Sequence, residues 1–212
     1  MEKENKHSRR SFLKRSLLAT TGIGLGIRSF SVDQNSVKMK SNESAFPEDK
    51  NLYWGDIHNH NSIGYARGSL ERSYDIAYSH LDFFCFTGHS QWHDIPDKPI
   101  EMKKKHQDGF EVFRKNWPKV KRMANDYYSP GKFVSFVGYE WHSCKYGDVC
   151  VIFPGSEAEL VYLDDIFKVQ DFAKKHNALL LPHHPAYAEG RRGANWDVLD
   201  TEVSPVLEIY SE

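Results

Sequence analysis

Apolar runs that suit buried strands alternate along the chain with amphipathic stretches that suit helices. The runs predict six strands, at residues 52–60, 81–87, 133–139, 149–153, 178–181 and 206–210. Apolar residues spaced three or four positions apart predict helices at 69–78, 101–128 and 165–175. Continuous apolar strands that alternate with helices predict an α/β fold whose parallel sheet is buried on both faces.

Two residues define limits of the predicted helices. Ser69 is expected to cap the first helix, because a serine hydroxyl accepts a hydrogen bond from a free backbone N–H at a helix start. Pro118 lies inside the longest helical stretch and is expected to kink or divide it, because proline lacks the N–H that continues a helix.

Side chains that bind metals occur where the predicted strands end. Side chains alternate along a strand, so Asp56, His58 and His60 are expected to share one face. His89, Glu140 and His184 follow later strands in the same way. In a β/α barrel or an open α/β sheet, the carboxyl ends of parallel strands gather at one edge. The sequence therefore predicts a centre of nitrogen and oxygen ligands suited to zinc, manganese or iron.

Several neighbouring residues allow two interpretations. Asp56 could be a ligand or could orient His58, and Glu208 could face the site or be structural. His142 and His183 adjoin candidate ligands and could donate protons, contact a ligand or serve a structural role. Arg67, between the first motif and the first helix, could hold an anionic substrate or be a solvated loop residue.

Charge is distributed unevenly over the 212 residues, although the formal net charge is only −1. Residues 1–40 contain nine Lys and Arg against three Asp and Glu, which leaves 19 against 26 for residues 41–212. The basic charge therefore belongs to the N-terminal segment. The acidic remainder has no electrostatic attraction to nucleic acid, and no nucleic-acid partner is predicted.

The three cysteines do not form a recognisable metal motif. Cys85 lies in an apolar run and is expected to be buried. Cys144 and Cys150 could form a disulfide, but their spacing matches no zinc pattern.

The N-terminal segment resembles a bacterial twin-arginine export signal. It carries Ser-Arg-Arg-Ser-Phe-Leu-Lys at 8–14, followed by a short, weakly apolar stretch at 16–27. The resemblance implies a signal at 1–28, a partner in the twin-arginine export machinery and a mature protein outside the inner membrane. No clear cleavage site follows, so both a periplasmic and an inner-membrane-anchored form are open. Residues 29–50, rich in Ser, Asn, Asp and Lys, are expected to be a linker.

Four motifs together resemble the PHP (polymerase and histidinol phosphatase) superfamily of metal-dependent phosphoesterases, and an uncharacterised PHP-like family of larger bacterial proteins in particular. They are Leu-Tyr-Trp-Gly-Asp-x-His-x-His at 52–60, Tyr-x-x-Gly-Ser-Leu at 65–70, Gly-Tyr-Glu-Trp at 138–141 and Leu-Glu-Ile-Tyr at 207–210. The resemblance covers about residues 51–212. It implies a distorted β/α barrel of the PHP type with two or three divalent metal ions at its mouth.

The resemblance also implies a ligand set and two departures from it. The implied metal ligands are His58, His60, His89, Glu140, Asp148 and His184. Of these, Asp148 lies where relatives often have a histidine. Gly88 stands where the superfamily has the aspartate of Thr-Asp-His. The chain also ends before the Asp-x-His motif that closes the site in these relatives, so we expect a truncated member whose barrel lacks its last strands.

These observations predict a metal-dependent hydrolase domain at 51–212 that cleaves a small-molecule phosphoester. His183 is the candidate proton donor and Arg67 the candidate substrate contact. Two alternatives are open: a catalytically inactive metal- or ligand-binding module, and a hydrolase of C–N bonds similar to the amidohydrolases. The sequence does not predict the oligomeric state.

Overall fold

The computed structural model describes residues 51–188 and 190–210. The expected export signal and linker, residues 1–50, lie outside the described residues, so both stay predictions. Three α-helices occur in the described part: α1 Leu70–His80, α2 Ile100–Tyr127 and α3 Ile166–His176. Its six strands are β1 Gly55–Asp56, β2 Phe83–Phe86, β3 His89–Trp92, β4 Val134–His142, β5 Val149–Phe153 and β6 Leu179–Pro182. A 3-10 helix covers Trp196–Val198. No helix in these ranges is both long and apolar enough to span a bilayer.

The helices form where their apolar periodicity and end residues predict them. The Ser69 hydroxyl accepts a hydrogen bond from the backbone N–H of Arg72 at 3.1 Å and so caps α1, as expected. The Asp165 carboxylate caps α3 by accepting from the N–H of Phe167 at 2.8 Å. Pro118 lies inside α2, which continues through it, so of the two expected effects, a kink or a division, the division does not occur.

The strands form one mixed sheet with the order β1-β2-β4-β5-β6, and β3 also pairs with β4. β1, β2, β3 and β4 pair in parallel, but β5 is antiparallel to both β4 and β6. The expectation of a wholly parallel sheet is therefore wrong. Only residues 143–148 connect β4 to β5, and a parallel crossover needs a dozen or more residues. The sheet curls into a half barrel, consistent with the expected incomplete barrel.

The reversal of β5 brings its first residue to the edge of the sheet where β4 and β6 end. Trp141 on β4 pairs with Val149 on β5, and Val149 pairs with Pro182 on β6. Asp148, immediately before β5, therefore lies beside the residues that follow β6. This register collects the predicted ligands at a single edge.

Three strand predictions differ from the structure. The first strand contains only Gly55–Asp56, and the apolar residues at 52–54 before it are exposed. Residues 206–210 are not a strand, although the N–H of Glu208 donates to the carbonyl of Pro182 at 3.0 Å. β3 was not predicted because its sequence, His-Ser-Gln-Trp, is too polar for a buried apolar run. Its buried Ser90 hydroxyl instead donates to the carbonyl of Glu140 at 2.7 Å.

The core lies mainly between the sheet and the helices. α1 packs against β2, and α2 packs against β3 and β4, around fully buried aromatic side chains such as Tyr74, Phe86 and Phe113. A smaller cluster is formed by Cys85, Cys150, Ile152 and Leu181. Cys85 and Cys150 are completely buried, and all three cysteines are free thiols, so the possible Cys144–Cys150 disulfide is absent.

Gly88 separates β2 from β3 at a point where no side chain fits. A Cβ atom there would lie 2.6 Å from two ring carbons of Phe113 and 2.7 Å from the ring of Phe86. Such distances are well inside van der Waals contact, so the aromatic rings occupy the space that an aspartate would need. An aspartate at position 88 would therefore clash with the rings of Phe113 and Phe86.

We expect Gly88→Ala to lower the free energy of unfolding by about 1–3 kcal/mol, because the added methyl overpacks a buried aromatic contact. Urea unfolding of the full chain measures the loss. Gly155→Ala is the matched control, since a Cβ at Gly155 meets no atom within 4 Å. In a Phe113→Leu background the cost of Gly88→Ala should shrink. Strict additivity of the two changes would contradict this steric explanation.

Candidate metal centre

The six predicted metal ligands come together at one edge of the sheet. Each belongs to at least one of four groups of side chains whose ligand atoms all lie within 4.8 Å of one another. The groups are His58–His60–Glu140, His89–Glu140–His142, Glu140–Asp148–His183–His184 and His58–Cys150–His183. Side chains from distant parts of the described chain thus form one cluster that could hold a metal ion.

Glu140 joins three of these groups. Near the end of β4, its side chain is only 1 % exposed, and its two carboxylate oxygens face different histidines. Oε2 lies 3.3 Å from His60 Nε2, 3.8 Å from His58 Nε2 and 2.6 Å from His89 Nδ1. Oε1 lies 3.0 Å from His183 Nε2. Yet Oε2 accepts no hydrogen bond of suitable geometry in the described structure. A buried oxygen without a hydrogen bond among converging imidazoles fits a position that faces a cation.

The spacing of three ligand atoms also fits a metal ion. Ligands bonded at about 2.0–2.2 Å in tetrahedral or octahedral geometry have neighbours roughly 3.0–3.5 Å apart. His58 Nε2 and His60 Nε2 are 3.1 Å apart, and Glu140 Oε2 lies 3.8 Å from the first and 3.3 Å from the second. We therefore consider His58, His60 and Glu140 the best-formed ligand set.

Glu208 determines which nitrogen His58 presents to this set. Its Oε2 lies 2.5 Å from His58 Nδ1, which leaves Nε2 directed at His60 and Glu140. Carboxylates commonly fix metal-binding imidazoles in this way. The Asp56 carboxylate accepts a hydrogen bond from the backbone N–H of His58 at 3.0 Å and belongs to none of the ligand groups. The structure thus favours the orienting role for Asp56.

A buried chain of contacts connects the remaining ligands. His89 Nδ1 lies 2.7 Å from His142 Nε2, and His142 Nδ1 lies 3.1 Å from Asp148 Oδ2. His184 Nε2 lies 3.7 Å from the same oxygen of Asp148. The ring of Tyr65 stacks on His89 with a centroid separation of 4.1 Å and covers this side of the cluster.

Arg192 is the functional residue that the sequence did not reveal. Its Nε donates to Asp148 Oδ2 at 2.6 Å, its Nη2 lies 2.5 Å from the same oxygen as an ion pair, and its guanidinium lies 5.1 Å from the ring centroid of Trp92. The surrounding Gly-Arg-Arg-Gly indicates only a turn. No sequence signal separates Arg192 from the exposed Arg191 beside it.

The two predicted catalytic residues lie in different environments. His183 is completely buried inside two ligand groups, so the structure brings it to the centre as a further candidate ligand. Arg67 is exposed and makes no hydrogen bond or ion pair with the cluster in the described chain. A proton-donor role for His183 and a substrate contact for Arg67 stay predictions.

Burial and charge prepare the cluster for a cation. Burial lowers the pKa of His60 to about 3 and that of His184 to about 4, so both imidazoles are neutral at pH 7 and keep a free lone pair. Burial alone would raise the pKa of Glu140, but electrostatic interactions with the neighbouring imidazoles of His142 and His89 outweigh it and hold the pKa well below its ordinary value. Neutral imidazoles and an ionised carboxylate are the forms that bind metals.

Two other imidazoles retain protons when no metal is bound. Burial would lower the pKa of His58, but Cys150 and Glu140 raise it to about 12. Burial would also lower the pKa of His183, but hydrogen bonds to Cys150 and Glu140 raise it to about 10. A metal ion that binds these nitrogens must therefore displace protons.

We expect the affinity for zinc or manganese to rise as the pH increases from about 6 to 8, because fewer protons then compete for the imidazoles. The increase should be roughly tenfold per pH unit for each proton displaced. Competition with a chromogenic chelator at constant ionic strength measures it. An affinity that is independent of pH over this range would contradict metal binding through these histidines.

We expect Glu140→Gln to weaken metal binding by more than about 100-fold, since loss of an outer hydrogen-bond partner already costs roughly 10- to 100-fold. The substitution keeps the shape of the side chain and removes its charge. Equilibrium dialysis with zinc measures the change. Glu159→Gln, at an exposed position, is the matched control. Equal zinc affinities in the two variants would show that Glu140 is not a metal ligand.

Comparison with known proteins connects the middle of the chain to one family. A family model described as "Protein of unknown function (DUF3604)" matches residues 82–159. No curated protein matches the chain. The matched span contains five members of the cluster: His89, Glu140, His142, Asp148 and Cys150. Over this span, which contains part of the candidate metal centre, the chain is therefore similar to a family of unknown function.

Proposed function

We propose that this protein is a metal-dependent hydrolase that cleaves a small-molecule phosphoester, built on an incomplete barrel of the PHP type. The observation that carries the proposal is the buried carboxylate of Glu140, with His58 and His60 near one oxygen and His183 near the other. We also propose export by the twin-arginine pathway, which rests on the motif at 8–14 alone.

His58, His60 and Glu140 would hold the ion, with zinc, manganese and iron as the candidates for this nitrogen and oxygen set. When bound, a divalent ion supplies Lewis-acid chemistry, which polarises a phosphoryl oxygen and makes water a better nucleophile. The protein contributes the arrangement around it. Glu208 keeps His58 Nε2 directed at the ligand set, and the stacked ring of Tyr65 restricts water on the side of His89.

A phosphoester substrate, which is anionic, agrees with the positive charge of Arg192 beside the ligands. The guanidinium of Arg192 is one-quarter exposed and lies next to Asp148 and His142. Fixed positive charge at the border of a site attracts an anionic phosphoester more strongly than a neutral amide. This feature favours phosphoester hydrolysis over the cleavage of a C–N bond.

A second candidate is a module that binds metal without catalysing hydrolysis. It is favoured by Gly88, which leaves the site without the aspartate of Thr-Asp-His, and by Phe113, whose ring fills the space of that side chain. If the aspartate normally handles a proton, its loss would slow turnover and leave the ligand set intact.

We expect the full chain, loaded with manganese or zinc, to hydrolyse p-nitrophenyl phosphate or bis-p-nitrophenyl phosphate. Chelation should abolish the activity and added metal should restore it. His58→Ala and Glu140→Gln should each lower kcat/KM by more than about 100-fold, because each removes a ligand. Glu159→Gln should retain the activity.

The same assay distinguishes the alternatives. Tight metal binding by folded protein without turnover of either ester would support the binding module. Turnover of an anilide and of neither ester would support C–N hydrolysis. Ester hydrolysis that survives complete metal removal would reject the metal-dependent mechanism.

A further inference from the structure

Arg192 contacts only one half of the candidate metal centre. Its Nη2 lies 3.7 Å from Glu140 Oε1, the oxygen that faces His183, and 3.1 Å from His142 Nδ1. The group of His58, His60 and Glu140 Oε2 lies on the other side of the carboxylate. Any effect of the guanidinium on metal binding should therefore fall on the groups that contain Asp148 and His142.

Hydrogen bonds already occupy the carboxylate of Asp148. Oδ1 accepts from the backbone N–H of Ser143 at 3.0 Å. Oδ2 accepts a hydrogen bond from Arg192 Nε at 2.6 Å, forms an ion pair with Arg192 Nη2 at 2.5 Å, and lies 3.1 Å from His142 Nδ1. A carboxylate oxygen has two lone pairs; on Oδ2, Arg192 Nε uses one, and His142 Nδ1 lies within hydrogen-bond distance of the other. That oxygen is also the one nearest to His183 and His184. The group of Asp148, His183 and His184 therefore lacks a free carboxylate lone pair on this atom.

Charge acts in the same direction. A guanidinium remains protonated at all working pH values, and it lies within ion-pair distance of both buried carboxylates. It supplies the positive charge that Asp148 requires in its fully buried position. A divalent ion placed beside it would be repelled by the guanidinium at short range and with little screening by water.

The backbone holds Arg192 in this position. Arg192 has a φ of 74°, and Gly193 follows it. A Cβ on Gly193 would lie 2.2 Å from the carbonyl oxygen of Tyr187. A Cβ on Gly147, which precedes Asp148 with a φ of 87°, would lie 2.6 Å from the carbonyl oxygen of Gly193. The two loops therefore pack backbone to backbone, which sets the arginine beside the aspartate.

We propose that the guanidinium of Arg192 takes the place of a second metal ion, so that the centre binds one divalent ion per chain, at His58, His60 and Glu140. This inference rests on the proposed metal-dependent function and makes it more specific. It replaces the two or three ions implied by the PHP resemblance with one ion and one built-in cation.

Metal stoichiometry tests the proposal directly. The full chain is saturated with manganese, separated from weakly bound ions by rapid desalting, and analysed for metal by mass spectrometry. Calorimetric titration with manganese gives a second count. The wild type should hold one ion per chain. Arg192→Met, which keeps the length of the side chain and removes its charge and donors, should hold two. Arg191→Met, at the exposed neighbouring position, should still hold one.

A double variant locates the additional ion. Arg192→Met combined with Asp148→Asn should return the count to one, because the released carboxylate would be lost again. Arg192→Gln, which is also uncharged, serves if circular dichroism shows that Arg192→Met does not fold.

The outcomes separate this inference from the proposed function. Two or more ions in the wild type would overturn the inference without any variant, and so would a count of one in folded Arg192→Met or Arg192→Gln. Both results would leave metal-dependent hydrolysis standing. A folded wild-type protein that binds no ion at all would overturn the proposed function itself.

Discussion

The burial of the Glu140 carboxylate is the constraint on which the site depends. Removing an ionised carboxylate from water costs several kcal/mol, and the cost is recovered only when positive charge or hydrogen-bond donors surround it. Here the surroundings are four imidazoles from three separate segments: His58 and His60, His89, and His183. Burial also keeps several of these imidazoles neutral. The cluster therefore combines a negative charge with free nitrogen lone pairs, which is the condition for binding a cation.

The sheet topology places a second carboxylate beside Glu140 because one strand, β5, runs in the opposite direction to its neighbours. With β5 antiparallel to β4, Asp148 enters the site from the beginning of a strand, and Glu140 and His183 enter at the ends of β4 and β6. A parallel β5 would place Asp148 at the opposite edge. The short connection between β4 and β5 is therefore a functional feature, because it adds a second buried carboxylate to the cluster.

Two features change the charge of this cluster in the same direction. At position 88, the ring of Phe113 occupies the space that an acidic side chain would need. At position 148, the guanidinium of Arg192 forms an ion pair with the aspartate and neutralises its charge. Both reduce the negative charge available to cations. A site with fewer free carboxylate oxygens suits fewer ions, which agrees with a single divalent ion beside a fixed organic cation.

The sequence by itself determined the features that depend on local pattern. Apolar periodicity located the three helices, and the recurrence of histidines and acids at strand ends identified five of the six metal-ligand candidates that the structure brings together. The sixth, Asp148, came from the resemblance to a known superfamily. The sequence also identified Ser69 as a cap, because a cap depends only on its neighbours. The direction of β5 could also have been inferred from the short connection before it. Only the tertiary structure decided the polar strand β3 and the place of Arg192. These depend on partners distant in the chain: β4 satisfies the polar strand, and Asp148 attracts the arginine. Such partners leave no trace in the local order of residues.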